Sequence, residues 1–151
     1  MPKGTAASRH WLPTIQAAVA IEHKDPNPAV ELLKETSAIE LGSANSFVIL
    51  LPVCVRGEAY LALGDGDRAA KEFQKFIDHR GVVAYFPWGA LARLGLARSY
   101  ALQAQSAQGA GADAARAKAS AAYQDFLTLW KDADPDIPIL KQAKAEYANL
   151  K

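Results

Sequence analysis

The sequence predicts an all-α chain built from antiparallel helix pairs packed side by side, and three observations lead there. Small and aromatic residues recur at fixed intervals with a period of forty residues. Apolar residues fall three and four apart through most of the chain, which is the spacing of a half-buried helix face. Clusters of Gly, Pro and Asp divide those stretches where helices should stop and start.

The repeat is clearest in the middle of the chain. Gly57 and Tyr60 are followed by Ala69 and Phe73, and the same intervals separate Ala17, Ala20, Ala29 and Leu33 forty residues earlier. Ala97 and Tyr100 arrive forty residues later, but their followers, Ala119 and Tyr123, come ten residues late, so the third unit carries an insertion. The spacing has a physical reading. A small residue (Ala17, Gly57, Ala97) lets a neighbouring helix come close, and a residue one turn on fills the space beside it; residues three or four apart share one helix face.

Each turn fits this division. In the first, His23 to Pro28, Asp25 is a candidate N-cap and Pro26 suits the first helical position. Gly64 to Asp67 joins a helix-ending glycine to a capping aspartate. The third turn, residues 103–112, reads as a loose glycine-bearing surface loop with Ala-rich flanks that extend the helices into it, and Asp113 restarts the helix. Apolar stripes follow: Val48, Leu51, Val55, Ala59 and Ala62, then Ala69, Phe73, Phe76 and Ile77 in the second unit. The third has Leu91, Leu94, Ala97 and Ala101, then Ala119, Ala122, Tyr123, Phe126 and Trp130. After Asp134 and Pro135 a last helix, 136–150, sets Ile137, Leu140, Ala143, Tyr147 and Leu150 inward and Lys141, Lys144, Glu146 and Lys151 towards water, as a capping element should. The nearest thing to a strand, Val82 to Phe86, lies between Gly81 and Pro87 and reads as an extended link.

Composition fits one domain of 151 residues, able to bury roughly two thirds of its unfolded surface. With a formal net charge of +1 no basic face points to nucleic acid. The single cysteine, Cys54, excludes an intramolecular disulfide and suits a reducing compartment. The polar segment 1–10 is expected to be disordered and carries no apolar run of signal-peptide or membrane-helix length, so a cytoplasmic, non-membrane protein is expected. The apolar run Phe47 to Val55 contains Pro52 and is half the length of a spanning helix; it reads as the start of a core helix.

The Gly57, Tyr60, Ala69, Phe73 pattern resembles a tetratricopeptide repeat, and the flanking units look like divergent copies at about 11–38, 46–80 and 87–131. The resemblance implies a right-handed α-solenoid over 11–150 closed by the capping helix. Arg56 departs from the family, which has leucine there, and the first unit has Ala20 where an aromatic is usual. The tail, residues 123–140, is similar to the end of large bacterial proteins that carry a serine/threonine kinase or winged-helix domain ahead of a repeat region. The chain itself has no glycine-rich loop, and His79-Arg80-Gly81 lacks the catalytic aspartate.

In that family the first helix of each pair lines a concave groove for a peptide or helix. The implied lining is Trp11, Thr14, Ala18 and Glu22; Leu51, Cys54, Glu58 and Leu61; and Leu91, Leu94, Arg98 and Leu102. Such a groove is largely apolar, with Glu22, Glu58 and Arg98 as its polar contacts, and lacks the basic cluster that clamps a C-terminal carboxylate. The function expected is protein or peptide binding, with a self-associating homodimer scaffold or a small-molecule sensor as alternatives. No enzyme is expected, because no acid, base and nucleophile converge.

Sharper motifs resolve into ordinary structure. Gly64 to Ala69 matches a dinucleotide fingerprint in letters, but a helix rather than a strand precedes it. Asp132, Asp134 and Asp136 alternate like a calcium loop, yet Ile137 replaces the required glycine. His10, His23 and His79 sit near helix ends, not at metal-ligand spacing, so neither metal nor cofactor is expected. Trp11, Tyr85, Phe86 and Trp88 lie outside the core stripes and read as inter-unit packing or a binding patch.

Overall fold

The computed structural model of the chain describes residues 7–38, 40, 50–83 and 87–150. Among these residues there is no strand. Eight α-helices follow in order: α1 (Leu12–Glu22), α2 (Pro26–Leu32), α3 (Leu51–Ala62), α4 (Gly66–Asp78), α5 (Arg80–Val83), α6 (Trp88–Ser106), α7 (Gly109–Leu129) and α8 (Pro138–Leu150). A π-helical turn, Ala7–Trp11, runs directly into α1, and a 3-10 turn, Glu35–Ala38, follows α2. Residues 7–10 of the segment expected to be disordered are thus helical.

Three hairpins, α1 with α2, α3 with α4 and α6 with α7, pack side by side, α3 touching both α1 and α6. The first two turns share one backbone solution. Lys24 donates to Ile21 O and Asp25 to Ala20 O, at 2.9 and 3.0 Å; forty residues later Gly64 donates to Leu61 O and Asp65 to Tyr60 O, at 3.0 and 2.9 Å. This crossed pair of bonds ends a helix with one left-handed residue. Gly64 takes it at φ 74° and Lys24, without a glycine's freedom, at φ 61°. Asp65 then caps α4, its carboxylate accepting from Arg68 N at 2.8 Å. Asp25 holds the N-cap position of α2 but makes no such bond.

The Ala-rich flanks extend α6 and α7 into the third turn, and further than the loose loop expected: it is only 107–108, and α7 begins at Gly109 (φ 53°), not at Asp113. Alanine's helix propensity outweighs the glycines there. The expected extended link is also partly helical, since Val82 and Val83 belong to α5; Ala84, Tyr85 and Phe86 lie outside the described residues, as do Phe47 of the apolar run and Val48 of the expected α3 stripe.

Helix α4 shows how the pattern makes the core. Ala69, Ala70, Phe73 and Phe76 are buried while Asp67, Lys71 and Asp78 face water. The Phe73 ring is held between two glycines on different helices: a Cβ at Gly57 would stand 2.7 Å from it, and one at Gly95 2.6 Å. Only residues without a side chain let α3 and α6 close on it. The larger core cluster gathers this ring with Leu94, Tyr123, Phe126, Leu140 and Ala143, whereas Ala17, Ala29, Leu33, Val55 and Ala59 form a second, smaller one.

Candidate functional site

The surface shared by α1, α3 and α6 carries the expected groove residues, but not all of them line it. Trp11, Glu22 and Glu58 are exposed, and Leu51, Leu91 and Arg98 are half-buried, with Ala18, Leu61 and Leu102 like them. Thr14, Cys54 and Leu94 are buried and belong to the interior. The Thr14 hydroxyl turns back to donate to His10 O at 2.6 Å. Leu94 is almost fully buried and joins the larger core cluster rather than an open face. Trp88 packs half-buried against that core, whereas Trp11, edge-on to the His10 ring at 5.7 Å, stays exposed.

The polar side chains form a connected set. The Arg98 guanidinium donates twice to Glu146 of α8, Nε to Oε2 and Nη2 to Oε1, each at 2.9 Å. The Tyr123 hydroxyl donates to Glu146 Oε2 at 3.1 Å, and burial, with the Glu146 charge behind it, pushes its pKa far up. Glu146 is therefore no solvent-facing residue of a cap; it fastens α8 to α6 and α7. The positive charge of Arg98 is already engaged.

Glu58 is different. Water reaches it, yet protein surrounds it closely enough that desolvation raises its carboxyl above the usual range. Arg98 and the Cys54 thiol, 3.9 Å from Oε1, pull it back, while Glu22 across the surface adds to the rise. Two carboxylates of one sign thus sense each other beside half-buried leucines. Cys54 is an inert thiol, its pKa driven far up first by burial and then by the Glu58 charge.

Arg56, where the sequence departs from its resemblance, stands at the centre of a buried charge cluster. Its guanidinium donates to Glu40 at 2.8 Å, Glu72 at 2.6 Å, Leu33 O at 3.1 Å and Thr36 Oγ1 at 3.3 Å. Lys75 completes the cluster, 2.7 Å from Glu40 and 2.9 Å from Glu72. Burial opposes the Arg56 charge, but the bonds to Glu72 and Glu40 outweigh it and hold its pKa above the ordinary value. Two cations and two anions balance, so the cluster is a clasp between α3, α4 and the segment after α2. The only sequence signal was a charge in a leucine position.

A polar cleft of about 800 Å³ opens at the turn ends of α4, α6 and α7. Its charged groups are largely matched: Arg68 binds Asp65 at 2.6 Å and lies over the Tyr60 ring, and Gln103 donates to Gly66 O at 3.2 Å. Among the described residues no three His, Cys, Asp or Glu side chains stand where they could hold a metal ion, and no helix is long and apolar enough to cross a membrane.

Comparison with protein-family models, with curated proteins and with solved structures gives no match.

Proposed function

We propose that the chain is a protein-interaction module, a right-handed stack of three tetratricopeptide-like helix pairs that works without catalytic chemistry of its own in a reducing cytoplasm. It takes an amphipathic helix or peptide on the surface of α1, α3 and α6. The observation that carries this reading is the recessed, water-accessible acid Glu58, raised by desolvation and by Glu22, among half-buried Leu51, Leu61 and Leu91. An apolar stripe with a lysine or arginine at one edge satisfies both parts: the leucines lose water, and the cation relieves two like charges. The repeat register of the sequence and the identical first two turns support the family reading.

The test uses a defined probe. A helical Leu/Lys amphipathic peptide and its Leu/Glu counterpart are titrated into the protein by calorimetry. The Leu/Lys peptide should bind, and Glu58→Lys should weaken it by at least about tenfold while the circular dichroism stays unchanged. Equal binding of the two peptides, or indifference to the substitution, would remove this surface as the site.

A further inference from the structure

The forty-residue register assigns a second surface. Positions 12, 15 and 19 of α1 correspond to 52, 55 and 59 of α3 and to 92, 95 and 99 of α6. In α3 these are Pro52, Val55 and Ala59, and in α6 Ala92, Gly95 and Ser99, and all six are buried. There each set is the face on which the preceding hairpin sits, α1 and α2 against α3, then α3 and α4 against α6. In α1 the same positions carry Leu12, Ile15 and Val19, exposed to 52, 58 and 49%. Side chains are thus largest where the face is open, with Trp11 beside them at 39%. A helix that is apolar all round belongs between neighbours on both sides, and among the described residues α1 packs mainly against α2, α3 and the π-helical turn before it, leaving the face of Leu12, Ile15 and Val19 open.

The charges at its ends say what the other neighbour is. Arg9 stands at the helical start and Glu22 closes α1, so each charge faces the unfavourable end of its own helix dipole. A parallel neighbour repeats that fault, and an antiparallel one corrects both. Turning α1 about a two-fold axis between Ile15 and Gln16 sets Leu12 against Val19 and Ile15 beside its own copy, and brings Glu22 opposite Arg9 at the other helix's positive start. One face that is apolar in the middle and oppositely charged at its ends is self-complementary, as an isologous interface requires.

We propose that a second copy of this chain docks here, α1 against α1, as a two-fold dimer whose face meets the peptide surface at Trp11 and Glu22 and leaves Glu58 outside it. Four large side chains per copy fall short of the roughly 800 Å² a stable partner buries, so dissociation belongs in the micromolar range. Sedimentation equilibrium of the full chain from about 1 μM to 1 mM should show a reversible monomer–dimer equilibrium. Ile15→Asp should leave a monomer of unchanged helicity, since that side chain is exposed in the folded chain. Arg9→Glu and Glu22→Arg should each raise the dissociation constant roughly fivefold at low salt, and the two together should restore it. A wild type that stays monomeric throughout, as it would if a foreign hairpin or the chain's own residues 1–6 or 41–49 covered the face, overturns the proposal. So does an Ile15→Asp protein that still dimerises, or a double charge reversal that fails to recover. Glu58→Lys should not alter the dimer, so failure of one surface is distinguishable from failure of the other.

Discussion

Arg56→Met keeps a side chain of similar reach and removes the charge at the centre of the clasp. Glu40 and Glu72, with side chains exposed to only 5 and 13%, are then left with one cation between them, Lys75, which is itself partly open to water at 29%. The carbonyl of Leu33 also loses a donor. Breaking a buried ion pair by removing one partner costs about 3–5 kcal/mol, because a charge stays behind without its counterion. The surviving Lys75 contacts place this case near the lower figure, about 3 kcal/mol out of the roughly 5–15 that a domain has. With a urea dependence of about 2 kcal/mol/M the unfolding midpoint should fall by about 1.5 M. Replacing Glu40, Arg56 and Glu72 together by leucine should recover most of the loss. Urea titrations at pH 7 followed by circular dichroism test this. A deficit below about 1 kcal/mol at pH 7 would show that water screens the cluster and that the clasp is ornamental.

Gly57→Ala and Gly95→Ala each drive a methyl group into the Phe73 ring and should destabilise by roughly 1–3 kcal/mol in thermal melts, with partial recovery when Phe73→Leu is added. Glu58→Gln should stabilise the fold at neutral pH. A raised folded pKa means that wild-type stability declines as pH rises through it, so the advantage of glutamine should vanish below about pH 4.3, the unfolded value; a constant difference across that range would show that burial does not bear on Glu58.

Much of the architecture was legible because the repeat is written in small residues. Ala17, Gly57 and Ala97 are all buried, and the turn at Gly64 announces itself by composition. Asp25 and Pro26 announce its twin as well, but nothing in a lysine signals the left-handed backbone at Lys24; only its register with Gly64 exposes that. At the third turn the Ala-rich flanks signal the extension but not its extent: glycines at 109 and 111 suggest a loop, and the flanking alanines carry the helix across them. At the candidate site Glu58 lies within electrostatic reach of Arg98 and Glu22, while Thr14, Cys54 and Leu94 turn inward. Amphipathic spacing finds a helix's apolar face, but cannot say how wide a neighbour makes it. The partners of Arg56 and Arg98 were hidden for another reason. Glu40, 16 residues away, and Glu146, 48 away, are found only after the chain has folded.

The two separate apolar clusters have a consequence for how the molecule comes apart. They meet in α3, where Val53 and Cys54 belong to one and Val55 and Ala59 to the other. On one side the Phe73 ring, gripped by α3 and α6, makes the later helices a single cooperative block. On the other the junction rests on small residues and on the ionic clasp. Opening should therefore begin at the first hairpin, and amide hydrogens of α1 and α2 should exchange well before those of α4 and α6. The hairpin that carries the open stacking face is thus also the least costly to release, and whatever covers that face sets how often the whole chain is found closed.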